Sequence, residues 1–135
     1  MLDVDAKNPK RLSYTSRTLE RAERSLLCSP FHLPLFKAMR LGSVPLQAIA
    51  GKSGLQHGYT KRPLSELAAE NALLWLIQVG VLRREVDGQG ITDSFRLTPL
   101  GQQLVARYQG SWPRTPSWLD RFYNTALDRW FKLPF

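Results

Sequence analysis

The chain has 135 residues, 43% apolar and 22% charged, with 19 Lys and Arg against 11 Asp and Glu for a net charge of +8. Those proportions describe one globular domain with a single core, and exclude a collagen-like or wholly disordered chain. The basic excess favours an anionic partner such as nucleic acid.

Residues 1–15 open on the polar, aperiodic run "DVDAKNPKR" and read as a flexible arm. A first helix is expected over 16–28, where Leu19, Ala22, Leu26 and Leu27 fall at helical spacing and Ser16 can cap. Ser29-Pro30 breaks it. "LPLFKAMRLG" predicts a short helix with Pro34 in its first turn and Gly42 as its stop. In "VPLQAIAGKSGL", Pro45 suits a first helical position, and Gly51 or Gly54 ends the element. Residues 63–79 give the longest of these helices, opened by Pro63, closed by Gly80 and apolar nearly all round in its second half.

The period then changes. Residues 81–86 and 91–97 read as two strands around the turn "DGQG", with Asp93 interrupting the apolar face of the second. Thr98-Pro99 starts a helix running to about Tyr108, and 109–117 reads as a linker. A last helix is expected over 118–133. Leu119, Phe122, Tyr123, Ala126, Leu127, Trp130 and Phe131 form one face of it, Asp120, Arg121, Asp128, Arg129 and Lys132 the other, with Ser117 as cap. The fold class is mainly α with one β-hairpin.

Three stretches in this order resemble the winged helix-turn-helix superfamily over residues 33–108. "LQAIAGKSGL" is similar to the first helix and turn of a helix-turn-helix, with Ala50 at the close helix crossing and Gly54 at the turn. "LLWLIQVGVLRRE" resembles a recognition helix entering the first wing strand, and "FRLTPLGQQL" the second strand entering a helix. The resemblance implies a winged helix with extra N- and C-terminal helices, and binding of DNA, RNA or protein. The 26 positions from Gly54 to Gly80 exceed what compact members use, so the extra length falls in "QHGYTKRP" or in the recognition helix. A second parse makes "LSELAAEN" the positioning helix, without a glycine for the turn. The whole chain is also similar to a small uncharacterised family found in cyanobacteria, which implies no activity.

On the winged-helix reading, Lys52, Tyr59, Thr60, Lys61, Arg62 and Ser65 surround the start of the recognition helix and are the main candidate contacts to double-stranded DNA. Arg can clamp a guanine edge, while Lys, Tyr and Thr can bind phosphate. Arg84, Gln89 and Arg96 on the wing would assist. Against this stand Glu66 and Glu70 on the helix, the uncharged tip residue Gln89, and the pairing of Arg84 and Arg96 that Glu85 and Asp93 allow. The charge is uneven too: residues 41–62 hold three bases and no acid, residues 63–80 two acids and no base.

Enzyme signals fail one by one. "AGKSG" has Leu46 where a phosphate-binding loop needs glycine, and it follows no strand. Ser29-Pro30 separates Cys28 from His32. One cysteine and two histidines make neither a zinc site nor a disulfide framework. No catalytic residue, metal, cofactor or small-molecule substrate is expected. No apolar run approaches the ~20 residues of a membrane span, and no signal segment is visible, so a cytoplasmic protein is expected.

Sequence alone therefore points to a winged-helix DNA-binding protein acting in transcription regulation. The alternative is a protein-interaction or assembly module, including one lying on a membrane surface. Trp118, Phe122, Tyr123, Trp130 and Phe131 would form its interface, against the chain's own first helix, a second copy in a homodimer, or a lipid surface.

Overall fold

The structure is a computed structural model that describes residues 14–86, 93–108, 112 and 120. The arm up to residue 13, the hairpin tip with Gln89, most of the expected linker and the expected terminal helix, except Asp120, lie outside the described residues. Trp118, Phe122, Tyr123, Trp130 and Phe131 lie there with it.

Helix α1 is Ser16–Cys28. Its cap is Thr15 rather than Ser16: the Thr15 hydroxyl accepts from the Thr18 amide at 3.1 Å. At the other end the Ser29 hydroxyl donates to the Leu26 carbonyl at 2.7 Å, and the chain turns extended. Helix α2, Leu33–Leu41, has Pro34 in its first turn, where no amide hydrogen is needed, and it buries Leu33, Leu35, Phe36 and Met39.

The next segment departs from expectation. Val44–Pro45 is a strand, β1, so Pro45 stands outside the helix it was expected to start. Helix α3, Leu46–Ile49, follows, and the chain breaks at an extended Ala50. Gly51 then takes φ +64° and opens α4, Gly51–Gln56. A left-handed residue is cheap only for glycine, so the break falls at Gly51, one of the two ends the sequence offers, and Gly54 lies inside the second helix.

Helix α5 is Glu66–Gln78, starting three residues later than expected because Ser65, not Pro63, sets its first turn. The Ser65 hydroxyl accepts from the Ala68 amide at 3.1 Å. α5 runs without a turn from Glu66 through Asn71 and Ala72 to Gln78, which removes the second parse. It stops at Gly80, φ +89°, with the Val81 amide donating back to the Leu76 carbonyl at 2.9 Å.

Strands β2, Leu82–Val86, and β3, Asp93–Leu97, form the expected hairpin, in register Leu82↔Leu97, Arg84↔Phe95 and Val86↔Asp93. β1 adds to its far side through Val44↔Phe95 and Pro45↔Ser94, giving a three-stranded antiparallel sheet in the order β1-β3-β2. Pro45 fits this edge because it has no amide hydrogen to leave unpaired. Helix α6, Pro99–Val105, ends the described framework, shorter than the expected run to Tyr108.

One core lies between the helices and the sheet. Phe31, Phe36, Phe95, Leu26, Leu73 and Leu76 are fully buried in it. α1 lies against α5 and α6, and β3 against α2. The buried Trp75 indole donates to the Ser25 hydroxyl at 3.2 Å, which pins α5 to α1 and leaves the opposite side of α5 outward. The molecule is thus mainly helical with a small antiparallel sheet. No helix among the described residues is long and apolar enough to cross a membrane.

Candidate interaction surface

The extra length between α4 and α5 is an ordered strap, residues 57–65. Its middle is sewn to the turn before α2: the His32 amide donates to the Tyr59 carbonyl and the Lys61 amide to the Pro30 carbonyl, each at 2.9 Å. Phe31 and Thr60 form the antiparallel bridge between them. The ends are tied as well, by Tyr59 N to Gly54 O at 2.8 Å and Gly51 N to Leu64 O at 2.7 Å. Gly58, φ +74°, makes the turn between α4 and the strap. On the outside the His57 ring stacks on Tyr59, with centroids 5.2 Å apart, and its Nδ1–H donates to the Ser53 carbonyl at 2.7 Å.

The strap delivers the chain to Ser65 and so orients α5. The sequence ELAAENALLWLIQ puts Ala69, Leu73, Trp75 and Leu76 inside. The outward face carries Glu66, Leu67, Glu70, Asn71, Leu74 and Gln78, of which Leu67 is 67% and Leu74 37% exposed. Positions 67 and 74 are two turns apart and fall on one line of the helix surface. No Lys or Arg occurs anywhere in α5.

The structure separates the candidate DNA contacts. Lys52 on α4 and Lys61 and Arg62 on the strap are exposed. Tyr59 is half-buried under His57. Thr60 is a correction: it is 1% exposed, held inside by the Phe31 bridge, and does not offer its hydroxyl to a partner on this surface. The Ser65 hydroxyl is engaged as the α5 cap.

Arg84 on β2 lies 3.5 Å from the Glu70 carboxylate and 4.0 Å from Asp93, with its guanidinium 5.6 Å from the centre of the Phe95 ring. Its guanidinium, about one-third exposed, faces these two acids. Arg83, not singled out from the sequence, pairs with Glu85 at 3.0 Å. Arg96 is half-buried on β3, opposite Arg83. Gln89 lies outside the described residues.

Sequence reasoning missed the outward leucines. Helical spacing does put Leu67 and Leu74 together, but so many apolar residues surround them that the solvent face of α5 had no pattern to mark it. Ala50 and Gly54 also exchange roles. Ala50 is the joint between α3 and α4, whereas Gly54 is buried in α4 where it crosses Ile49. Among the described residues, no group of three His, Cys, Asp or Glu is placed to hold a metal ion.

The family model Npun_F0494-like matches residues 12–128. The chain belongs to the Npun_F0494-like family. This agrees with the whole-chain resemblance to a small uncharacterised family, and it brings no activity with it. Comparison with curated proteins and with solved structures gave no match.

Proposed function

We propose that this Npun_F0494-like chain is a cytoplasmic, non-enzymatic winged-helix module that binds another protein. The element order supports the winged-helix part. Helix, short strand, helix pair, long helix and hairpin follow one another, and the first strand lies beside the returning strand of the hairpin. On this reading α5 stands in the place of the recognition helix and β2–β3 form the wing.

The outward face of α5 carries the choice of partner. A helix entering the major groove lies among phosphates, and cations beside it provide most of the affinity. This one presents two carboxylates, two leucines, an asparagine and a glutamine, with no cation of its own. The nearest wing arginine, Arg84, is turned onto Glu70. Exposed leucines among neutral and acidic groups suit a protein partner better than a polyanion.

Double-stranded DNA, with a role in transcription regulation, is the second reading. The exposed Lys52, Lys61 and Arg62 favour it. Binding of the full chain to random duplex DNA across a salt series, beside a Lys61→Ala/Arg62→Ala double variant, separates the two. A docking module shows only weak duplex binding at low salt. A steep log–log salt slope that falls by about two in the double variant overturns it in favour of DNA.

A further inference from the structure

We infer that the surface made by α4 and the strap binds single-stranded nucleic acid. The inference does not depend on the protein-binding reading of α5. From residue 24 to residue 65 the chain carries six Lys and Arg and no Asp or Glu, so this stretch holds +6 of the net +8. Three of the six, Lys52, Lys61 and Arg62, are exposed on α4 and the strap.

The fold gathers these three. The Gly51 amide donates to the Leu64 carbonyl at 2.7 Å, and the Tyr59 amide to the Gly54 carbonyl at 2.8 Å. The two bonds close residues 51–64 into a loop, which brings Lys52 at its start close to Arg62 at its end. Cations clustered on a loop without a single acid attract a polyanion.

An aromatic platform stands in the same loop. The His57 ring is fixed twice, by its Nδ1–H on the Ser53 carbonyl at 2.7 Å and by its stack on Tyr59, 19° from parallel. His57 is exposed, so the other face of the ring is open. A ring already held in place loses little freedom when a base stacks on it. Cations along a backbone path and a ring that takes a base are the means by which single strands are bound without regard to sequence.

Other polyanions use less of this surface. In a duplex the bases already stack on one another, and the open His57 face has nothing to take. A duplex on the strap also carries its second row of phosphates towards the start of α5, where Glu66 is exposed and no cation follows. An acidic peptide satisfies the cations and leaves the ring unused.

The test is a fluorescence anisotropy titration of the full chain over a salt series. Its probes are short labelled oligo(U) and oligo(dT), a duplex of the same length and a poly-glutamate peptide. The single strands are expected to bind about tenfold or more tighter than the duplex and the peptide. Three phosphate contacts on a single strand give a log–log salt slope of about 2, and Lys52→Ala/Arg62→Ala lowers it by about 1.4. His57→Ala weakens single-strand binding about fivefold or more at an unchanged slope, whereas His57→Phe, which keeps a ring, retains it. Circular dichroism checks that each variant folds. A preference between oligo(U) and oligo(dT) names the natural strand and supports the inference.

Poly-glutamate bound as tightly as the oligonucleotides overturns the inference, as does full binding by His57→Ala, because either leaves only a cationic surface. Absence of single-strand binding at low salt overturns it too, and the protein-binding reading of α5 stands. A duplex bound tighter than either single strand overturns both.

Discussion

A β-carbon at Gly54 would stand 1.8 Å from the carbonyl oxygen of Ile49. The contact is with backbone, so no rotamer change relieves it, and α4 would have to move off α3. Gly54→Ala is therefore expected to cost more than about 4 kcal/mol or to prevent folding, since the clash falls on fixed main chain. Gly42 is the control: it is extended and has nothing within 4 Å of the added carbon, so Gly42→Ala leaves stability nearly unchanged. Thermal unfolding of the two variants checks the contrast.

Thr60 carries the opposite prediction. Its hydroxyl is buried without a hydrogen-bond partner among the described residues. An unpaired buried hydroxyl opposes folding, so Thr60→Val, which keeps the branched shape, is expected to raise stability by about 1 kcal/mol. A loss of stability in urea unfolding would mean that the hydroxyl has a partner, such as a bound water.

Thr98 fastens the sheet to the end of α5. Its hydroxyl donates to the Gly80 carbonyl and accepts from the Gly101 amide at 3.1 Å, and its own amide donates to the Val81 carbonyl at 3.0 Å. Gly101 makes the fit possible, because a β-carbon there would lie 2.3 Å from the Val81 oxygen. Thr98→Ala is expected to cost about 1–2 kcal/mol, as a lost cap does, and Thr98→Ser to restore most of it. Equal losses in the two variants would assign the effect to the methyl group instead.

Arg84 and Glu70 are each about one-third exposed, 3.5 Å apart. A double-mutant cycle with Arg84→Ala and Glu70→Ala should return a coupling below about 1 kcal/mol, fading as salt is added. A coupling near zero beside a clear loss in Arg84→Ala alone would show that Arg84 acts mainly through its packing on Phe95.

Much of this framework was legible in the sequence, for reasons specific to particular residues. Pro34, Gly42, Gly80 and Thr98-Pro99 mark ends of elements because each has a backbone preference that hardly depends on its surroundings. β1 was not legible. Val44–Pro45 offers only two residues, and they become a strand solely because Phe95 and Ser94 lie alongside. The helix starts shifted for a similar reason: Thr15 and Ser16, or Pro63 and Ser65, are both acceptable to local rules, and packing selects between them. In the candidate site, residue type suggested a DNA contact for Thr60, but a bridge to Phe31 across a long sequence gap buried it. The open side of α5 became visible only once the Trp75–Ser25 bond had fixed which side is inward.

Phe31 joins three distant parts of the chain. Its backbone pairs with Thr60, its carbonyl accepts the Trp112 indole N–H at 3.0 Å, and its ring meets Phe36 edge-on. Trp112 packs in turn against Phe36 and Tyr108. The strap cannot peel from the turn before α2 without loosening the seat of Trp112, so these segments open as one unit or not at all. The Lys61 amide and the Trp112 indole hydrogen, 51 positions apart, would then exchange with solvent at a common opening free energy.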